Sequence, residues 1–263
     1  MPKVQLNGES VFYQDTGGVG PVLAFSHGIL MDHEMFAPQV EAFRDQYRCV
    51  SWDERCHGLT AGANAEPFSY YDSADDLAAV LRHLSIKKAV LVGMSQGGFL
   101  SLRCALTHPD LVSALVLIGT QAGVDTAEWN EANLSMIAQW QEQGLSPETA
   151  NLIESSILGS GWPGAPAWRS KWSNMKAPNL REAFRALVTR DDITEKVSSI
   201  KVPTLVIHGS ADPAITSDKA EFLASKIPNA ELRIVDGAAH APNLTHAEQV
   251  NKVMRAFLQS ALS

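Results

Sequence analysis

Six short runs of apolar residues, at 22–26, 49–52, 89–92, 114–118, 204–207 and 232–235, carry almost no polar alternation. A strand with one face in water alternates apolar and polar side chains, so runs of this kind suit strands covered on both faces, as in a parallel sheet. Between them lie segments with helical spacing, such as Leu77, Val80, Leu81 and Leu84. In the last one Val250, Val253, Met254, Phe257 and Leu258 follow Thr245 and Glu248, which stand in the order of a capping box. Parallel neighbours need long crossovers, usually helices, so the chain is expected to be an α/β protein with helices on both faces of its sheet. Only the start differs: segments 3–6 and 10–14 flank Asn7-Gly8, a dipeptide suited to the positive φ angles of a tight hairpin.

The strand-helix rhythm breaks from about residue 123 to about residue 199, where the spacing is helical throughout and five of the six tryptophans fall: Trp129, Trp140, Trp162, Trp168 and Trp172. The expected division is a core of residues 1–122 and 200–263 with a helical cap, 123–199, inserted between two strands. Large aromatics glue small lobes together, and five in one lobe also suit a partly apolar pocket roof. Trp129, Trp162 and Trp168 are therefore candidate substrate contacts, with Leu30, Met94 and Ala241 from nearby loops.

A formal charge of −8, from 21 Lys and Arg against 29 Asp and Glu, repels nucleic-acid backbones and anionic membrane surfaces. Neither is an expected partner, whereas a homodimer stays open. Cys49, Cys56 and Cys104 form no C-x-x-C pair and read as free thiols. No targeting pattern follows the initial Met-Pro-Lys and no run approaches a membrane span, which points to the cytoplasm.

Gly93-Met94-Ser95-Gln96-Gly97 lies between the run 89–92 and a helical segment. A serine on such a strand-to-helix turn is held in a strained conformation that pushes its hydroxyl outward, and the glycines avoid collisions across the turn. The bare pattern arises by chance in about one chain in ten of this length, so its position at the carboxyl end of a strand carries the weight. A serine nucleophile needs a base, and the base needs an orienting carboxylate. His240 follows the last predicted strand, in Asp236-Gly237-Ala238-Ala239-His240-Ala241-Pro242. Asp212 lies in the loop after 204–207, although its Asp-Pro dipeptide equally suits an aspartate closing its own turn. Asp218 is a weaker substitute inside the next helix, and Asp125 lies far along its loop. An oxyanion would be met by the backbone N–H of Gln96 at a helix start and by that of Ile29, or else Leu30, in His27-Gly28-Ile29-Leu30. His27 is read as a brace for that loop.

Taken in order, His27-Gly28, Trp52-Asp53-Glu54-Arg55-Cys56-His57-Gly58, the Ser95 turn, the Asp212 loop and the His240 loop resemble the α/β-hydrolase superfamily along nearly the whole chain. The resemblance implies an eight-stranded, mostly parallel sheet with a helical cap after the sixth strand. It also implies a serine hydrolase of the esterase, enol-lactonase or cofactor-free haloperoxidase type, acting on a small-molecule ester or lactone with no metal or cofactor. Perhydrolysis is suggested by Thr245-His246-Ala247-Glu248; carbon–carbon hydrolysis is disfavoured by Ala241-Pro242, where such relatives often carry tryptophan. A binding protein that keeps the pocket without turnover is the alternative of another class. Relatives usually have glycine where this chain has Cys56, which predicts a rearranged turn there and makes packing, rather than thiol reactivity, the expected role.

Overall fold

In a computed structural model residues 3–63 and 65–262 are described; Met1-Pro2, with which the targeting reading begins, lie outside them. The strands are β1 Lys3–Leu6, β2 Glu9–Asp15, β3 Val22–Ser26, β4 Arg48–Trp52, β5 Ala89–Met94, β6 Val112–Ile118, β7 Thr204–Gly209 and β8 Ala230–Val235. They make one eight-stranded sheet in the order β1-β2-β4-β3-β5-β6-β7-β8. The six strands read as unalternated runs all pair in parallel, and the Asn7-Gly8 hairpin adds β1 and β2 antiparallel at one edge. Asn7 and Gly8 take φ of 49° and 86°, the left-handed values this turn requires. β5, β6 and β7 are buried along their length, but β8 is partly exposed, because it is an edge strand with one neighbour.

In the core, α1 is Ala37–Phe43, α2 Tyr70–His83 and α3 Gln96–Thr107. Then α4 Ala127–Gln143, α5 Pro147–Ile157, α6 Ala165–Ser173 and α7 Ala177–Val188 lie between β6 and β7, followed by α8 Ser217–Lys226, α9 Pro242–Thr245 and α10 Ala247–Ala261. α2 packs on α3 and α1 on α10, two separate helix layers against the sheet. Ser69 and Asp72 form a reciprocal capping box at the start of α2, and its predicted stripe of Leu77, Val80 and Leu81 is fully buried. The expected capping box at Thr245 and Glu248 does not form. Pro242, whose fixed φ suits a first helical position, starts the short helix α9; Thr245 is spent inside it, its hydroxyl bonded to the Ala241 carbonyl and the His246 ring. His246 then begins α10 without a side-chain cap, and the apolar face of Val250, Met254, Phe257 and Leu258 is buried as read.

The insertion is tied at its root. Asp125, before α4, pairs with Arg190, after α7, at 2.8 Å, and the Ile193 N–H donates to the Ala122 carbonyl at 3.1 Å. Arg103 of α3, 2% exposed at its side chain, reaches out of the core to Asp191 at 2.7 Å. Burial pushes the Asp191 carboxyl up, but the hydrogen bonds from Arg103 and Lys196 outweigh it and hold it at about 2.

Candidate active site

Parallel register brings the carboxyl ends of the strands level, with Ser26 opposite Gly93, Met94 opposite Ile118, and Ile118 opposite Ile207. Strand order reverses at β3, with β4 added on one side of it and β5 on the other, the kind of switch point at which open α/β sheets place their sites. Ser95 follows β5 here at φ 51°, ψ −113°, a left-handed conformation unusual for a residue with a side chain. The turn is over-determined: the Ser95 N–H donates to the Ile118 carbonyl at 2.8 Å, its carbonyl accepts from the Thr120 hydroxyl at 2.9 Å, and α3 starts at once. A Cβ on Gly97 would strike the Ser26 carbonyl, and one on Gly93 would strike the Gly97 carbonyl, which is why both flanks are glycine.

Asp212 makes both sets of contacts that its sequence left open. Its Oδ1 accepts from the Ala214 and Ile215 amides at 2.8 and 3.0 Å, closing its own turn, while Oδ2 meets His240 Nδ1 at 2.7 Å. Burial raises the Asp212 carboxyl, but the neighbouring His240 and the turn amide outweigh it and hold it below the ordinary carboxylate range. An ionised Asp212 keeps the hydrogen of His240 on Nδ1, leaving the Nε2 lone pair free. Behind this pair His208 is buried, its Nε2 set against the Ile215 carbonyl at 2.9 Å, and burial lowers its pKa, keeping it neutral. Asp218, the weaker substitute, is in α8 as read.

Ser95 and His240 line one cavity of about 330 Å3, shared with Ile29 and Leu30 from the β3 loop and Met94 from the turn. The amides of Ile29 and Gln96 donate to no protein acceptor among the described residues. Leu30 is excluded from that role, because its N–H donates to His57 Nε2 at 3.3 Å. Leu30 also sits at φ 63°, and its carbonyl accepts from Trp172 Nε1 at 3.0 Å, so the loop is held from the core and from the insertion together. His27 braces as expected: Nδ1 bonds the Gly28 carbonyl and Nε2 accepts from the Glu54 N–H. Burial pushes its pKa down to about 3.

Of the predicted contacts, Leu30, Met94 and Trp129 line the cavity; Trp162, Trp168 and Ala241 do not. Trp168 and Ala241 are buried in packing, and Trp162 lies against the backbone at Gly164. The rest of the wall went unread: Phe99 from α3, Met136 from α4, Ile153 from α5, and Phe184 and Leu187 from α7. Their helical spacing was visible, but which face turns toward Ser95 depends on how four helices pack. Cys56 takes φ 67°, so the turn keeps the glycine-like conformation and is not rearranged. Burial pushes its thiol up to about 12, which leaves it a packing group, as expected. Asp32, His33 and Asp53 cluster closely enough to hold a cation. Their atoms are committed to each other and to the chain: Asp53 Oδ1 accepts from the His33 N–H and meets its ring, and Asp32 Oδ2 pairs with Lys171. Among the described residues no helix is long and apolar enough to cross a membrane.

Known proteins resemble this chain in sequence and in fold. 3-Oxoadipate enol-lactonase 1 of Acinetobacter baylyi is 28% identical over 253 residues, covering 91% of this chain and 89% of its own. The human serine hydrolase BPHL is 25% identical over 262 residues, covering 98% and 86%. The crystal structure of the enol-lactonase from Burkholderia xenovorans LB400 superposes with a TM-score of 0.90 at 24% identity, over 98% of this chain and 100% of that one. The alpha/beta hydrolase fold family matches residues 21–247, and with the eight-stranded sheet and the loops just described, the chain belongs to that family.

Proposed function

We propose that this hydrolase cleaves carboxylic esters or lactones of small, partly apolar molecules through an acyl-enzyme on Ser95. The observation that carries the reading is the 2.7 Å bond between His240 Nδ1 and Asp212 Oδ2, with His240 and Ser95 on the wall of one cavity. Ser95 Oγ attacks the carbonyl carbon as its proton passes to His240 Nε2. The negative charge on the carbonyl oxygen is met by the Ile29 and Gln96 amides, the second also favoured by the start of α3. The carbon–oxygen bond breaks, and the leaving oxygen takes the proton from His240. Water then adds to the acyl carbon, giving a proton to His240, and Ser95 is released with its hydrogen restored. Relatives named for enol-lactone and serine hydrolase activity support the same reaction class.

Steady turnover of p-nitrophenyl butyrate, abolished in Ser95→Ala, is the expected result. Release of less than one equivalent of nitrophenol, with none thereafter, would instead mark a binding protein. Thr245 and His246 of the tail bond each other and neither lines the cavity, so perhydrolysis, the second reading, would use the same Ser95 site.

A further inference from the structure

We infer that the cavity selects substrates whose acyl group is uncharged, and that Asp125, paired from behind with Arg190, turns away acyl groups ending in a carboxylate. The inference rests on the ester- and lactone-cleaving reading above. Among the described residues lining the cavity Asp125 is the one acid and no Lys or Arg is present. The wall opposite the loops is mostly apolar, with Phe99, Met136, Ile153, Phe184 and Leu187 beside the polar Asn133 and Ser156. A carboxylate drawn out of water against such a surface loses its hydration and finds no cation in return.

The cation paired with Asp125 faces elsewhere. Arg190 gives Nη2 to Asp125 Oδ2 at 2.8 Å and Nη1 to the Leu187 carbonyl at 2.8 Å, and its guanidinium lies 4.4 Å from the Phe99 ring centre. Its side chain is 2% exposed, whereas that of Asp125 is 15% exposed and reaches the cavity. Gln121 Nε2 holds the other Asp125 oxygen at 2.8 Å. The group presented to a substrate is thus the negative end of a pair whose positive end is covered. At about 30 Å3 per water in the liquid, a cavity of about 330 Å3 holds about ten non-hydrogen atoms, enough for a short acyl chain.

The test compares p-nitrophenyl valerate with mono-p-nitrophenyl glutarate, which has the same chain length with a carboxylate in place of the methyl group. The wild-type protein is expected to favour the valerate by about 100-fold or more in kcat/KM; a ratio near one, or reversed, overturns the inference. Asp125→Asn leaves Arg190 uncompensated and should lower that ratio at least about tenfold through a gain on the glutarate, whereas an unchanged ratio removes Asp125 from the inference. Should that variant not fold, Asp125→Leu with Arg190→Met takes out both charges and should still lower the ratio about threefold, with no change again decisive against Asp125. Calorimetric titration of both esters into Ser95→Ala protein separates the two readings. Tighter binding of the valerate by about tenfold, without turnover in the wild type, retains charge selection and removes the hydrolase reading. Ser95-dependent turnover at equal rates does the reverse.

Discussion

The loops that carry Ser95, Ile29, Asp212 and His240 and the helices of the insertion that face them build the two sides of one cavity by different means. On the loop side nearly every feature is a backbone bond or a forbidden Cβ: Ser95 hangs between the Ile118 carbonyl and the Thr120 hydroxyl, and Asp212 closes its own turn. On the helix side Met136, Ile153, Phe184 and Leu187 make an apolar surface held by packing. Several bonds join them, among them the pair of Lys171 in α6 with Asp32 of the β3 loop. Trp172 of α6 holds the Leu30 carbonyl, and the end of α5 takes the His240 and Ala241 N–H groups on the Ser156 and Ile157 carbonyls at 3.4 and 2.8 Å. Reaction chemistry should therefore depend on single loop atoms, and substrate choice on the helical surface.

The largest effect should come from the loop side. Ser95→Ala is expected to cost about a million-fold in kcat, the scale on which a nucleophile of this type fails, with the thermal midpoint hardly moved. Asp212→Asn should cost about ten-thousand-fold, because an amide leaves the wrong histidine tautomer in place. Burst-free initial rates beside circular-dichroism melts check both. A Ser95→Ala protein keeping a tenth of its activity would place the chemistry outside these loops.

The same contrast explains what could be read in advance. The strands, the Ser95 turn and the Asp212 and His240 loops were legible because each has a local steric cause: Gly93 and Gly97 answer to carbonyls a few ångströms away, and the unalternated runs to burial within parallel strands. The insertion could be read as helical but not oriented. Trp168 and Trp129 look alike in sequence, yet one is covered by packing and the other lines the cavity, a difference set by the crossing of α4 to α7 over the core. Thr245 failed for the opposite reason: the capping pattern was present, but Pro242 had already begun a helix that enclosed it.

Acid should separate the regions next. All eight histidines lie outside residues 123–199. His27 falls from 6.5 to about 3 on folding, so its contribution is complete above about pH 6.5 and is lost as pH drops toward 3; by pH 5 it alone removes about 2 kcal/mol. Asp191 at the root of the insertion, held near 2, keeps its stabilising charge until pH falls below about 3.8. Hydrogen exchange between pH 6.5 and 4 should show the His27 loop losing protection while the insertion keeps it. Loss in the insertion first would reverse the comparison.

Trp172 tests the joint between the sides. Trp172→Phe keeps an aromatic ring in place but removes the donor to the Leu30 carbonyl, loosening the loop that holds the Ile29 amide. A full oxyanion-hole donor is worth about 100-fold or more, so its partial misplacement should cost about tenfold in kcat with KM unchanged. A fall confined to stability, with kcat intact, would make Trp172 a packing residue only.

The smallest effect separates two tryptophans. Trp129→Leu opens the cavity wall and should move the preferred acyl chain one or two carbons longer, changing ratios between adjacent p-nitrophenyl esters about threefold to tenfold, within the range that a methylene contributes to discrimination. Trp168→Leu removes a buried ring outside the cavity, which should lower the thermal midpoint and leave the chain-length profile where it was. The pair is informative because its two readouts cross: profile without stability for Trp129, stability without profile for Trp168. If both variants shift the profile equally, the insertion acts as one deformable body whose packing reaches the substrate. The division between a wall that touches substrate and packing that supports it would then fail within the helices, although it held across the two sides of the site.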